Sequence, residues 1–492
     1  MSPEANPVAD FFTTLEQHAW HTARPALVGS HETWSYARLL QELTARAAWL
    51  REREVQRLAL DLPNGPELLA WDLAALRAGI PCVVLPDFFS AGQRAHVLGD
   101  SGADLVLGRA ERSPEWTAAG FSPVDGAWRR PAGERRPLPA RTAKLTYTSG
   151  TTGTPKGVCL RATALLRVAA SLEGASRPLA PQRHQVLLSL GILLENLGVY
   201  AALLAGAEVL VLDGAEQGIT GSTGIDWARL AGCLQQRQAH SLILMPQLLQ
   251  GLVELGERGL LRLDELSFAA VGGAPLSEAL LTRAAALDLP VFQGYGLSEC
   301  ASVVALNRPG ASRLGSVGQP LPHVRLRLAA DGEVLVGGAD FAGYLGQPDC
   351  ASDEIATGDL GHFDADGYLY LRGRKKHQFS LASGRNVDPG WIEAELTQGG
   401  PIAQAYVQGE GAHHLVALLW PRQPELPDTF LADQVARLNQ RLPDYARIGA
   451  WHRLAEPFTP ANGLLTATGR LRRDAIQAHH AALLSDLLEV HP

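Results

Sequence analysis

Apolar residues follow two spacings in the first hundred positions of the chain. In Ala37–Arg51 and in Pro66–Ala78 they recur with the period of an amphipathic helix. The apolar runs Leu58–Leu62 and Ile80–Leu85 have the length of buried strands. The resulting order of strand, helix and strand is typical of parallel strands joined by a crossover helix.

The same alternation continues beyond Pro114–Arg141, a segment rich in Pro, Arg and Gly that we interpret as a surface connection. The pattern predicts helices at Arg161–Leu172, Leu193–Leu204 and Gln247–Arg258. It predicts strands at Val186–Leu190, Val209–Leu212, Ser241–Met245, Leu266–Val271 and Pro290–Phe292. Together these elements predict an α/β fold with doubly wound β/α layers.

From about Gly315 the pattern changes to short strands and tight turns, which predict a small β-subdomain. A charged run at Gly373–Lys376 follows it. We therefore predict a large domain at residues 1–373 and a mobile α+β domain at residues 374–492, a normal domain size of about 115 residues. Its predicted elements are helices at Pro389–Leu396 and Phe430–Leu442 and strands at Gln404–Val407 and Leu415–Trp420.

Composition narrows the class of protein. The chain has 492 residues, more than one ordinary core, with a net charge of −8 and a pI near 6.0. The acidic balance argues against a general nucleic-acid binder. The five cysteines show no C-x-x-C spacing, which suits a reducing cytoplasm and gives no support to a metal–thiolate site. We expect no signal peptide, because the N-terminus lacks a basic region followed by an apolar core. We expect no transmembrane segment, because charged residues and glycines interrupt the most apolar run, Val186–Leu212.

One loop carries the strongest chemical signal. A β-prone run passes into a stretch of Ser, Thr and Gly that ends on a lysine. Glycines let backbone N–H groups approach an anion, hydroxyls add donors, and the lysine adds a point charge suited to phosphate. Most such clusters are polar surface loops, but this fixed order of features favours a phosphate cradle. Its predicted members are Thr148, Ser149, Gly150, Thr151, Thr152, Gly153, Thr154 and Lys156.

A second motif, Gln293–Glu299, follows the predicted strand Pro290–Phe292, and ligands of doubly wound sheets collect at such strand ends. Tyr295 could stack on a purine, Ser298 could donate to phosphate, and Glu299 offers the oxygen that Mg²⁺ prefers beside phosphates. A turn with a solvated glutamate is the alternative for this heptad alone. The phosphate loop upstream favours a binding site.

Two weaker motifs precede the predicted domain boundary. In Thr357–Gly361, Asp359 suits a vicinal diol because a carboxylate can accept two hydrogen bonds, although a turn aspartate is the usual explanation of such a tripeptide. The second motif, Gly373–His377, is a charge run, and charge runs are usually solvated. It nevertheless holds two of the four lysines of the chain.

These motifs run from about residue 33 to residue 473 and resemble, in order, those of the adenylate-forming enzymes. That superfamily includes acyl- and aryl-CoA synthetases, peptide-synthetase adenylation domains and luciferases. The spacing of Ala382–Val387 and Trp391–Glu393 is closest to the long-chain acyl-CoA synthetase branch. The resemblance implies an AMP-forming acid–thiol ligase that uses ATP, Mg²⁺ and a thiol acceptor, either CoA or a carrier-protein phosphopantetheine.

The resemblance also assigns roles to residues. It implies that Lys156 is catalytic, that Glu299 binds Mg²⁺ and that the C-terminal domain pivots about Lys376. Besides the phosphate loop, it implies ATP contacts from Gly273, Ala274, Gly294, Tyr295, Gly296, Ser298, Asp359 and Arg374.

The match is looser around the predicted acid pocket, at Leu190–Asn196 and Gly272–Leu276. The family often has an aromatic residue or histidine as a gate there, whereas this chain has Ile192-Leu193-Leu194. The walls are apolar and uncharged in sequence. That composition disfavours an amino-acid substrate, because no acidic partner for an α-amine is evident, and we expect a fatty or aryl acid.

The last motif, Asn462–Arg473, departs from the family pattern. The family carries a lysine where this chain has Arg470, and that lysine bridges the carboxylate and the α-phosphate. The chain has only 4 lysines against 39 arginines, yet it keeps lysine at the phosphate loop and at the hinge. Arginine retains the positive charge and can bind oxygens bidentately, so we expect adenylation to persist with Arg470 as a catalytic residue.

Three interpretations follow. The first is a ligase that forms a thioester of a fatty or aryl acid. The second keeps the adenylate chemistry but releases acyl-AMP or drives a ring closure. The third is a non-catalytic acyl or nucleotide binder that has lost the lysine. The oligomeric state is left open by the sequence.

Overall fold

The computed structural model describes residues 6–21, 24–131, 133, 135–148, 156–221, 224–350, 352–466 and 469–489. The predicted phosphate-loop residues Ser149 to Thr154 lie outside this part of the chain. The helices are α1 (Pro7–His21), α2 (Tyr36–Glu52), α3 (Pro66–Ala78), α4 (Ala91–Ser101), α5 (Ser113–Ala118), α6 (Ala162–Ser176), α7 (Leu193–Leu204), α8 (Gly214–Gln217), α9 (Trp227–Arg237), α10 (Pro246–Glu257), α11 (Glu278–Ala286), α12 (Pro389–Thr397), α13 (Asp428–Arg441), α14 (Arg473–His479) and α15 (Ala481–Glu489).

The strands are mostly short. They are β1 (Pro25–Val28), β2 (Thr33–Ser35), β3 (Leu58–Asp61), β4 (Cys82–Val84), β5 (Leu105–Gly108), β6 (Ser122–Val124), β7 (Ala127–Arg129), β8 (Thr142–Thr148), β9 (Lys156–Arg161), β10 (Arg183–Gln185), β11 (Glu208–Leu210), β12 (Ile219–Thr220), β13 (Gly224–Ile225), β14 (Ser241–Leu244), β15 (Phe268–Val271), β16 (Val291–Leu297), β17 (Ser302–Leu306), β18 (Gln319–Pro320), β19 (Arg325–Leu328), β20 (Glu333–Gly337), β21 (Phe341–Tyr344), β22 (Glu354–Phe363), β23 (Leu369–Arg374), β24 (Phe379–Ser380), β25 (Asn386–Val387), β26 (Ile402–Gln408), β27 (Leu415–Pro421) and β28 (Ile448–Arg453).

Two large sheets form the N-terminal domain. One has nine strands in the order β18-β17-β16-β15-β14-β10-β11-β1-β2, and the other has eight in the order β21-β9-β8-β4-β3-β5-β7-β6. Their central strands are parallel. The largest hydrophobic cluster joins both sheets through side chains of α2, α3, α6 and α7, such as Leu39, Leu69, Leu165 and Leu197. The core therefore lies between the sheets and their helices.

Four smaller sheets are also present in the described residues, and two of them, β12-β13 and β24-β25, have only two strands each. A four-stranded sheet, β19-β20-β22-β23, forms the predicted β-subdomain, and a three-stranded sheet, β26-β27-β28, forms the centre of the C-terminal domain. The latter packs on α12 and α13 around a separate cluster that includes Ile392, Leu419 and Leu431. Among the helices within the described ranges, none has both the length and the apolar character needed to cross a bilayer.

Three predictions of secondary structure differ from the structure. The strand predicted at Val186–Leu190 lies earlier, at β10, and the chain leaves the sheet after Gln185. The predicted surface connection Pro114–Arg141 contains most of α5 as well as β6 and β7, because Trp116 is fully buried and β7 pairs with β5. The strand predicted at Pro290–Phe292 continues as β16 to Leu297, inside the heptad that follows it, and pairs there with β17.

Candidate active site

A deep cleft of about 2530 Å³ lies at the carboxyl ends of the parallel strands and extends to the C-terminal domain. It brings together residues that are far apart in sequence. Among the predicted site residues, those that line it are Lys156, Gly273, Ala274, Gly294, Tyr295, Gly296, Ser298, Glu299, Asp359, Arg374, Lys376 and Arg470. Thr148 ends β8 at the phosphate loop. The cleft is therefore the candidate active site.

Asp359 is the centre of the polar end of the cleft. It lies on β22 and is almost fully buried. Its Oδ2 accepts a hydrogen bond from the hydroxyl of Tyr295 at 2.6 Å, and its Oδ1 pairs with Nε of Arg374 at 2.7 Å. Burial raises the pKa of Asp359, and the Arg374 charge and the Tyr295 hydroxyl oppose the rise. Three separate sequence motifs thus meet at one carboxylate.

Glu299 lies in a short 3₁₀ turn directly after β16. Its Oε1 accepts a hydrogen bond of 2.9 Å from the hydroxyl of Tyr344 on β21. Burial and the Glu299 charge raise the pKa of that tyrosine. β21 pairs with β9, and Lys156 is the first residue of β9. Lys156 and Glu299 therefore lie on neighbouring elements of one wall of the cleft.

Two glycines bring backbone close to the cleft. A Cβ on Gly296 would lie 1.4 Å from the carbonyl oxygen of Ser302, so no other residue fits there without moving the strand. Gly273 has a φ of +86°, a conformation that other residues rarely adopt. Both positions therefore require glycine, and both lie where the sequence predicts nucleotide contacts.

Arg470 reaches the cleft from the C-terminal domain. It lies in a hairpin closed by a bridge between Leu465 and Leu471, and its Nη2 donates to the carbonyl oxygen of Gly273 at 2.8 Å. Asp359 and Arg374 are the charged groups that act on its guanidinium. The cation at the position of the expected lysine is thus placed over the polar end of the cleft.

Other contacts fix the C-terminal domain in this position. The side-chain amide of Gln398, just after α12, accepts from the backbone N–H of Ser277 at 2.7 Å and donates to the carbonyl of Pro275 at 2.9 Å. Arg422 pairs with Glu254 of α10 at 3.5 Å. The C-terminal domain therefore packs on the loop Gly272–Leu276 that precedes α11.

The two lysines of the predicted hinge differ. Nζ of Lys375 forms ion pairs with Asp331 and Glu333 on the four-stranded sheet. Lys376 lines the cleft, where burial and the neighbouring Arg374 lower its pKa. Lys376 thus lies at the side of the hinge that faces the cleft.

A metal ion at this site would need ligands beyond the protein. Within the described ranges, no group of three or more His, Cys, Asp or Glu side chains is arranged to hold a metal. Glu299 offers one carboxylate oxygen beyond the one that binds Tyr344. Mg²⁺ usually takes one or two carboxylates together with phosphate oxygens and water, so this single carboxylate fits a magnesium ion carried by a triphosphate.

Polar residues that sequence reasoning did not assign to the site lie behind the other end of the cleft, which we propose below as the acid end. Glu195 is fully buried at the start of α7, and its two oxygens already have partners in His184 at 3.1 Å and the backbone N–H of Leu188 at 3.0 Å. It therefore does not provide a free acidic partner for an α-amine. Glu195 and Asn196 interrupt an otherwise apolar helix, which was the available signal.

A second buried cluster lies on the other side of α7. Nζ of Lys144 contacts Asp72 at 2.8 Å, Asn196 at 2.6 Å and the hydroxyl of Tyr200 at 3.2 Å. All four side chains are nearly or fully buried. This lysine anchors α7 to α3 and β8 and does not line the cleft.

Sequence comparison shows which known proteins this chain resembles. Residues 15–345 match a protein family described as AMP-binding enzyme. The long-chain-fatty-acid–CoA ligase FadD15 of Mycobacterium bovis is 39% identical over 157 residues, which are 31% of this chain and 26% of that protein. The fatty acid–[acyl-carrier-protein] ligase ScoC of Streptomyces coeruleorubidus is 28% identical over 86% of this chain and 90% of that protein.

The fold has relatives of known structure. The anthranilate CoA ligase AuaEII, solved in complex with anthranoyl-AMP, matches with a TM-score of 0.79 and 17% identity over 98% of both chains. This likeness confirms the predicted α/β fold with a large N-terminal domain and a C-terminal domain. The stretch that matches FadD15 spans only about a quarter of that protein, 26% of its length.

Proposed function

Because the chain belongs to the AMP-binding enzyme family, we propose that it activates a carboxylic acid with ATP and transfers the acyl group to a thiol. One observation carries the proposal. Arg470 of the C-terminal domain contacts Gly273 across the same cleft in which Tyr295, Asp359 and Arg374 meet. A cation that could stabilise the reacting groups thus lies in the same cleft as the side chains that we assign to the nucleotide.

The polar end of the cleft has the groups to bind ATP. Asp359 has acceptor capacity for the ribose hydroxyls, and Arg374 holds the carboxylate in place through its ion pair. The ring of Tyr295, whose hydroxyl is tied to Asp359, offers a face for adenine. Lys156 and the phosphate-loop residues would contact the phosphates. Mg²⁺ bound at Glu299 would neutralise charge on the triphosphate.

The first chemical step is the attack of a carboxylate oxygen of the acid on the α-phosphorus of ATP. A new P–O bond forms, the bond to the β-phosphate oxygen breaks, and pyrophosphate leaves. Lys156 and Arg470 act by positioning the reactants and stabilising the charge that develops. In the second step a thiol attacks the acyl carbon and AMP leaves, which yields a thioester.

The two steps need different surroundings of the acyl carbon. We place the domain boundary between residues 373 and 374, and the separate hydrophobic cluster of the C-terminal domain supports it. Rotation about Lys376 would remove Arg470 from the cleft and admit the thiol of CoA or of a carrier-protein phosphopantetheine. The contacts of Gln398 and Arg422 are those that the rotation would break.

The acid itself is a fatty or aryl acid in this proposal. The far end of the cleft is lined by apolar residues of α7, α10 and the nine-stranded sheet, including Leu194, Leu248 and Ala270. Such a lining suits an apolar tail. The relatives named as fatty-acid ligases are consistent with this class.

The test is product analysis with a panel of carboxylic acids that includes fatty, aryl and amino acids. Purified protein is incubated with ATP, Mg²⁺ and each acid, alone, with CoA, or with a phosphopantetheinylated carrier protein. We expect acid-dependent pyrophosphate release with a fatty or aryl acid and a thioester mass with one of the two thiols. Acyl-AMP or a cyclised product with both thiols present would favour the second interpretation, and no pyrophosphate with any acid would favour a binder.

A further inference from the structure

The wall of the acid end includes a segment of irregular backbone, Leu188–Ile192, which we term the gate segment. It lies between β10 and α7, and its residues Leu188, Ser189, Gly191 and Ile192 line the cleft. The backbone N–H and C=O groups of such a segment cannot pair within a sheet, so they need other hydrogen-bond partners. The residues that supply these partners hold the segment in place.

Asn64 supplies two of them. It lies in the turn between β3 and α3, more than 120 residues before the gate segment. Its Nδ2 donates to the carbonyl oxygen of Leu188 at 2.8 Å, and its Oδ1 accepts from the N–H of Leu190 at 3.0 Å. The side-chain amide therefore binds the segment as a neighbouring peptide group would in a sheet.

Two further contacts hold the same segment. Oε2 of the buried Glu195 accepts the N–H of Leu188 at 3.0 Å. A Cβ added to Gly191 would lie 2.8 Å from Cγ of Pro86, so the backbone of the gate segment packs tightly on the residues that follow β4. The segment is therefore fixed from the turn before α3, from α7 and from the residues that follow β4.

We propose that Asn64 is a positioning residue for the acid. By holding Leu188 and Leu190, it sets the position of the gate segment and thereby the width of the acid end of the cleft. Asn64 contacts the gate segment, whereas the nucleotide residues Tyr295 and Asp359 lie on β16 and β22. Its effect should therefore be confined to recognition of the acid. This inference rests on the proposed function.

The experiment compares Asn64→Ala with Asn439→Ala. Asn439 is a matched control, because its side-chain amide donates to the carbonyl of Ile448 and accepts from the N–H of the same residue, both at 2.9 Å, in the C-terminal domain. The acids are the one preferred in the panel and its homologues two carbons longer and shorter. The readouts are kcat, KM for the acid, KM for ATP and the melting temperature.

We expect Asn64→Ala to raise the KM for the preferred acid about tenfold, while kcat and the KM for ATP stay within about twofold, the pattern of lost ground-state binding. The preference for the best acid over its homologues should fall about tenfold, within the range that pocket fit supplies. Asn439→Ala should lower the melting temperature but change neither the KM for the acid nor the preference among the acids. An unchanged KM and an unchanged preference in Asn64→Ala would overturn the proposal.

A second variant covers the case in which Asn64→Ala does not fold. Gly191→Ala displaces the same segment from Pro86 without touching Asn64, and it should also raise the acid KM and weaken the preference. If Gly191→Ala folds and leaves both unchanged, the gate segment does not set acid recognition and the proposal is wrong. Failure of the proposed function is distinguishable, since the parent protein itself would then release no pyrophosphate with any acid.

Discussion

The two ends of the cleft are built in different ways. At the polar end, charged side chains from short motifs contact one another directly, as in the Tyr295–Asp359–Arg374 cluster. At the other end, which we propose binds the acid, apolar side chains form most of the wall, and polar side chains bind its backbone, as Asn64 and the buried Glu195 do. We therefore expect chemistry at the first end to depend on individual side chains and recognition of the acid at the second end to depend on the position of the gate segment.

The largest effects should come from charges at the polar end. Lys156→Ala and Glu299→Ala each remove a charge aimed at the triphosphate or its metal, a loss of about 2–4 kcal/mol at a pre-organised site. We expect kcat/KM for ATP·Mg²⁺ to fall by about two to three orders of magnitude. Steady-state rates at sub-saturating ATP measure this.

Tyr344→Phe is the control for the glutamate. It removes only the hydrogen bond to Oε1 of Glu299 and keeps the carboxylate, so it should lower kcat/KM for ATP·Mg²⁺ less than Glu299→Ala does. Normal rates in Lys156→Ala and Glu299→Ala would show that the polar end is not the ATP site.

A smaller effect is expected at the ribose position. Asp359→Asn removes the anionic partner of Arg374, a charge-assisted contact of about 1.5–3 kcal/mol, and should raise the KM for ATP by about ten- to a hundredfold. Tyr295→Phe keeps the carboxylate of Asp359 and should raise the KM for ATP by a smaller factor. The KM for the acid should change little in either variant. A change in acid KM as large as that in ATP KM would contradict the division of the cleft into two ends.

The smallest expected effect is a pH-dependent loss of folding stability that alters neither end of the cleft. His323 packs against α6, where its Nδ1 lies 2.9 Å from Oγ of Ser171, and burial lowers its pKa to about 4. A histidine with a depressed pKa stabilises the fold fully above its unfolded value, and this stability is lost as the pH falls through about 6.5 toward 4. The loss should be roughly 1–3 kcal/mol.

Denaturant unfolding of the parent and of His323→Gln from pH 7.5 to pH 4.5 measures this loss. The variant should show a shallower decline than the parent, with both KM values at neutral pH unchanged. Parallel declines would show that His323 does not contribute to acid destabilisation.

The elements that were predicted closely are those with strong local signals. The bounds of α3, Pro66–Ala78, and of α7, Leu193–Leu204, coincide with the prediction, since a proline or a sustained apolar pattern defines each helix. The motifs of the polar end were found for the same reason. Their roles remain predictions, and those of Ser149 to Thr154 fall outside the described residues.

The acid end could not be predicted from local patterns. Asn64 resembles any turn asparagine in sequence, and its contact with Leu188 depends on how the two large sheets pack. The apolar run at Val186–Leu190 has the composition of a strand, but the backbone groups of Leu188 and Leu190 bind side chains from other elements. Such long-range side-chain contacts leave no periodic signal in the sequence.

Acid-dependent exchange of labelled pyrophosphate into ATP is the decisive measurement of whether this chain adenylates an acid with Arg470 in the place of a lysine. We predict exchange in the parent protein with its preferred acid and a loss of about 10²-fold or more in Arg470→Ala, as expected for a lost transition-state charge contact. Arg470→Lys, which keeps the charge, should retain exchange. Equal exchange rates in the parent and in Arg470→Ala, or no exchange with any acid, would show that this chain does not use Arg470 to adenylate an acid.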